Sequence, residues 1–149
     1  MWEKHAIQIN NINYLISSIE VNTELDYANL NIDTLSTENT DNSFKMRSMR
    51  TEYDADTKTI AVKTEISIGY DDNLHKIENA NFWLHVAVEG IFSVDEDKFP
   101  ITKIDHWAVN NAPLVLYPYA REVAYSLTTR VLRDGAVLLP LLSLPVVKV

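Results

Sequence analysis

The sequence predicts an α+β fold: a four-stranded antiparallel sheet, laid out as a meander, followed by one long helix. Three observations predict it. Before residue 95 apolar residues recur at period 2, as in half-buried strands. Turn-forming clusters, Asp54-Ala55-Asp56-Thr57 and Asp71-Asp72-Asn73, separate the runs. After Pro113 the apolar spacing becomes helical.

The first strand lies within residues 6–24. Ile7 and Ile9 alternate, then Ile12, Tyr14 and Ile16, then Ile19 and Val21 on the other parity. Two phase shifts in one run predict a bulge or bend, because a one-residue slip turns every later side chain to the opposite face. Residues 25–42 form a long polar connection punctuated by Leu25, Leu30, Ile32 and Leu35. Residues 43–53, with Phe44, Met46 and Met49, form the second strand. Ile60, Val62, Thr64, Ile66, Ile68 and Tyr70 mark the third, and Phe82, Leu84, Val86 and Val88 begin a fourth that runs to Val94. Leu116, Ala120, Val123, Ala124, Leu127 and Val131 fall on a helical stripe, with Pro118 in or near its first turn and Asp134-Gly135 as its stop.

The 149 residues fit one domain, spanning 1–149, and the 46% hydrophobic content supplies a core. A formal charge of −8 repels phosphate backbones and disfavours nucleic-acid binding. The absence of cysteine excludes disulfides, thiolate nucleophiles and Cys-type zinc sites. The N-terminus, Met1-Trp2-Glu3-Lys4-His5, has no signal-peptide pattern, and no apolar run reaches the roughly 18 residues of a membrane span. The expectation is a soluble cytoplasmic protein without membrane insertion.

No pattern of catalysis emerges. His5, His75, His85 and His106 form no HxxxH or HExxH pair, so no metal site is expected. Asp54 and Asp56 lack the glycine and distal glutamate of a calcium loop. With only three glycines there is no phosphate-cradling loop, and no cofactor is expected. Apolar residues outside regular core positions are more informative. Methionines such as Met46 and Met49 suit an adaptable groove, because the unbranched thioether side chain repacks around different partners. Tyr117, Tyr119, Val123, Tyr125 and Leu127 extend the helix's apolar surface beyond a narrow stripe, and oligomerisation would bury the surplus.

Two runs, Gly90-Ile91-Phe92-Ser93 and Tyr117-Pro118-Tyr119-Ala120-Arg121-Glu122, resemble the end of the fourth strand and the start of the long helix in SecB export chaperones. Ile7-Gln8-Ile9, Asn111-Ala112-Pro113 and the Leu-Pro-rich segment after Gly135 add to the likeness. The resemblance implies an ATP-independent holdase for unfolded client proteins or preproteins, assembled as a homotetramer (a dimer of dimers), with SecA as a downstream partner. It also implies a client groove of Leu25, Leu30, Ile32, Leu35, Phe44, Met46, Met49, Val137, Leu138, Leu139, Leu141, Leu142 and Leu144. The oligomer contact would use Tyr117, Tyr119, Val123, Tyr125 and Leu127, and the SecA-facing surface Glu20, Trp83 and His85. The family usually adds a second helix and an acidic tail where this chain ends at Val149, so tail docking to SecA is expected to be missing and the C-terminal segment short. The alternatives are a dedicated chaperone of one partner, such as an antitoxin, and a small-ligand-binding module on the same scaffold.

Overall fold

A computed structural model describes residues 2–24, 44–132, 137–140 and 142. Four strands form one antiparallel sheet: β1 (Ile7–Val21), β2 (Phe44–Arg50), β3 (Thr59–Ile68) and β4 (Phe82–Val94). A short 3-10 turn (Ile101–Lys103) leads into α1 (Ile104–Asn110) and α2 (Ala112–Val131).

The spatial order is β1-β4-β3-β2. The expected meander therefore describes β2 to β4, and β1 adds on the far side of β4. Loop length explains the difference. Residues 51–58 and 69–81 join neighbouring antiparallel strands, whereas residues 22–43 are long enough to cross the sheet. The β2–β3 turn is set by Asp54, whose carboxylate accepts the Asp56 and Thr57 amides.

Two phase shifts occur in β1, the second one step earlier than read, so Ile16 pairs with Ala87 on the face opposite Tyr14. The register of β1 against β4 slips between Ile9 and Asn11 and again between Tyr14 and Ile16. These bulges return Ile7, Ile9, Ile12, Ile19 and Val21 to the side of the sheet that faces Phe82, Leu84 and Phe92.

That side carries the core. Ile60, Val62, Ile66 and Ile68 of β3 and Leu84, Val86, Val88 and Phe92 of β4 are almost wholly buried. Each such side chain contributes about 1.5–3 kcal/mol relative to exposure. α2 seats on them through Leu116 and through Ala120 and Ala124, and the small methyls of the two alanines allow close approach. A Cβ at Gly90 would meet Leu116 Cδ2 at 2.7 Å and the Phe92 ring at 2.8 Å, so the bare backbone there makes room for the helix. The Trp107 ring of α1 closes the layer edge-on against Phe92, 5.1 Å between centroids.

The helical region begins earlier than the spacing suggested. α1 starts at Ile104, and α2 starts at Ala112 with proline in its first turn. Pro113 has no amide hydrogen to continue the α1 ladder, so the axis breaks at Asn111. The Tyr117–Glu122 run thus lies inside α2, and Pro118 is an interior residue that bends the helix. α2 ends at Val131; the stop expected at Asp134-Gly135 lies outside the described residues.

Strand β3 ends at Ile68 because Gly69 adopts φ +85°. A Cβ there would sit 2.3 Å from the Phe82 carbonyl oxygen. Gly69→Ala should cost about 1–3 kcal/mol through forced left-handed backbone and that clash. Urea unfolding checks it; an unchanged midpoint would show that the turn relaxes freely.

Candidate functional site

The helical layer covers one side of the sheet and leaves hollows beside it. The larger, about 420 Å³, opens between the start of β1 and the α1–α2 break. Ile7, Ile9, Phe92, Trp107, Leu114 and Val115 line it, with His5 and Asn111 adding polar atoms. A second hollow of about 320 Å³ lies on the opposite flank, beside β2, between Ser48, Met49, Arg50 and Glu52 and the α1 residues Ala108 and Val109.

The structure distributes the expected groove residues unevenly. Phe44 and Met46 pack at the rim of the core, Phe44 stacking on Tyr117 with 6.4 Å between centroids. Met49 has the opposite parity, pairs with Lys63 and is 54% exposed. An odd separation along a strand reverses the face, so Met46 and Met49 do not line one surface. Leu25, Leu30, Ile32, Leu35, Leu141 and Leu144 lie outside the described residues.

The segment after α2 runs back along it. The Val137 amide donates to Thr128 Oγ1 (2.8 Å), Arg121 Nε donates to the Leu139 carbonyl (2.7 Å), and the Tyr117 hydroxyl donates to the Pro140 carbonyl (2.6 Å). Val137 and Leu139 are consequently buried in the core, Leu138 is 63% exposed, and Leu142 is partly buried. Burial pushes the Tyr117 phenol up, with the Arg121 charge acting against it.

Of the residues expected at an oligomer contact, Tyr117 is buried inside the chain. Tyr119, Val123 and Leu127 are half-buried, and Tyr125 is 46% exposed.

The back of the sheet is polar and largely self-satisfied. The Glu65 side chain is 7% exposed and accepts from Lys63 (2.9 Å), His85 (3.0 Å) and Arg47 (3.2 Å). Burial pushes its carboxyl up, but hydrogen bonds from Lys63, His85 and Arg47, with the Lys63 charge, outweigh that and hold it at about 2. The residues expected to face SecA are engaged here too. Glu20 pairs with Lys76, Lys76 lies 4.5 Å above the Trp83 ring, Trp83 Nε1 donates to the Ile77 carbonyl, and His85 is bound to Glu65.

Sequence reasoning missed the larger hollow and the Glu65 cluster. Trp107 sits in a helix of seven residues, too short to show a period, and only the β1–β4 register brings Ile9 to Phe92. The cluster joins β2, β3 and β4, so no local pattern marks it. Among the described residues no group of three or more His, Asp or Glu is placed to hold a metal, and no helix is long and apolar enough to cross a membrane.

No protein-family model and no curated protein matches the sequence. Among solved structures, the SecB-like chaperone Rv1957 of Mycobacterium tuberculosis, in complex with a ChAD peptide from the Rv1956 HigA1 antitoxin, matches with TM-score 0.64. Identity is 15%, over 92% of this chain and 91% of that one. A Streptococcus agalactiae protein of unknown function matches with TM-score 0.36 and 13% identity, over 91% and 94% of the two chains. The chain has a SecB-like fold, as the Gly90–Ser93 and Tyr117–Glu122 runs led one to expect.

Because the folded Glu65 carboxyl lies below its ordinary value of 4.5, its stabilisation is present above that pH and is lost as pH falls toward 2. Glu65→Gln should therefore cost about 1.5–3 kcal/mol at neutral pH. The gap to wild type should close as pH falls through this range, as read by denaturant unfolding across a pH series. A gap independent of pH would contradict the ionic cause.

Proposed function

We propose that this chain is an ATP-independent chaperone that holds extended apolar segments of other polypeptides on the helix-covered side of its sheet. One observation carries the reading. On a chain with a SecB-like fold, a 420 Å³ hollow floored by Phe92 and Trp107 and walled by Ile9, Leu114 and Val115 stays open beside the helix. It is large enough for bulky client side chains, each giving about 25 cal/mol per Å² buried, less the ordering cost. Phe44, Met46 and Leu138 extend the apolar surface along α2. The reading is of a binding protein rather than an enzyme.

The working form we infer is a homo-oligomer, a tetramer by the SecB resemblance. Tyr119, Val123, Tyr125 and Leu127 supply the contact, since they leave apolar area at the surface of a single chain. A cytoplasmic setting fits this reading.

A dedicated partner is favoured over general export by two observations. Trp83 and His85 are mostly buried and bonded within the chain, which leaves little of them for SecA. The Mycobacterium tuberculosis neighbour was solved with an antitoxin peptide, which supports single-partner use of this fold.

The purified chain should suppress aggregation of a denatured protein at stoichiometric oligomer without nucleotide, followed by light scattering. Val115→Asp, on an exposed wall of the hollow, should weaken suppression several-fold while leaving the unfolding midpoint nearly unchanged. No suppression by the wild type would overturn the reading. Affinity capture yielding one predominant partner, rather than many preproteins, would mark the dedicated form.

A further inference from the structure

The three bonds that tie the post-helix segment to α2 all go to main-chain atoms: the Val137 amide and the Leu139 and Pro140 carbonyls. Their helix partners, Tyr117, Arg121 and Thr128, stand at i, i+4 and i+11, which places them within about 40° of one another on the helix. The Thr128 hydroxyl donates within its own helix, to the Ala124 or Tyr125 carbonyl, so its oxygen lone pair accepts the incoming amide. The strap itself alternates, with Val137 buried, Leu138 exposed, Leu139 buried and Pro140 exposed.

This is recognition of an extended backbone with apolar residues at every second position, and no side-chain polar group of the strap is read. The same chemistry holds any extended apolar peptide, because main-chain hydrogen bonds are independent of sequence and alternate side chains point the same way. We propose that Tyr117, Arg121 and Thr128 form a main-chain track for extended apolar client, occupied in the unliganded chain by its own residues 137–140, which a client displaces. The inference rests on the chaperone reading and adds to it the place of the client backbone and a built-in competitor. Displacement lowers the apparent affinity by the fraction of time the track is open. A weak or folded partner therefore fails to dislodge the strap, while a long unfolded chain succeeds.

The chain has no cysteine, so Leu138→Cys takes a single spin label on an exposed strap side chain. Reduced, carboxymethylated α-lactalbumin serves as the unfolded client, and its binding is scored separately by co-elution. The expected result is a label whose motion is restricted by the bonded strap backbone in the free chain and rises when client co-elutes. Co-elution with an unchanged spectrum overturns the track alone. Failure to co-elute overturns the chaperone reading and the track with it. A second arm weakens the strap and spares the track: Val137→Ser with Leu139→Ser should tighten client binding about tenfold, as expected when a competing state is removed. Adding Arg121→Ala should abolish that gain, and Arg121→Gln, which keeps an N–H donor, should restore part of it. A strap-weakened chain that keeps the wild-type circular-dichroism spectrum and binds no tighter than wild type overturns the proposal.

Discussion

α2 rests on β3 and β4 through a narrow seat, with Leu116 pressed toward the bare backbone of Gly90 and Ala120 and Ala124 following at the next turns. The sheet has one covered side, and this seat covers it. Because Pro113 lacks an amide hydrogen, the helical layer breaks at Asn111 just before the seat, and α1 turns to bring Trp107 over Phe92. The hollow of Ile9, Leu114 and Val115 opens at that break. Apolar surface left uncovered there is a consequence of how the core is closed.

The two sides of the sheet then divide the work. The covered side gathers apolar residues whose burial supports the fold. The back gathers charge, yet its deepest carboxylate, Glu65, is surrounded by Lys63, His85 and Arg47, and Glu20 is tied to Lys76. Glu89, on the same side, accepts instead from the Asn13 amide.

The strands were legible because period 2 is short and their boundaries carry strong signals. β4 runs from Phe82 to Val94 as read, and β1 has two bulges as read, although the second falls between Tyr14 and Ile16 and not after Ile16. Strand order was less legible, since residues 22–43 can cross the sheet and nothing local says whether β1 joins β2 or β4. α1 escaped notice because seven residues give no repeat. Among site residues, sequence could mark Phe44, Met46, Val137 and Leu139 as unusual apolar positions but not their depth. Val137 and Leu139 are buried by three hydrogen bonds that only the folded return of the strap creates. Met49 went to the other face through its parity with Lys63.

The three tryptophans offer a direct reading of which side of the sheet meets a client. Trp107 floors the hollow on the covered side, Trp83 lies on the back beneath Lys76, and Trp2 is fully exposed near the N-terminus. Indole N–H resonances of the isotope-labelled chain, followed as an unfolded apolar peptide is added, separate the three. Binding on the helix-covered side shifts Trp107 strongly and leaves Trp83 in place. A shift at Trp83 with Trp107 unmoved would put the client on the charged back and contradict the assignment of the site.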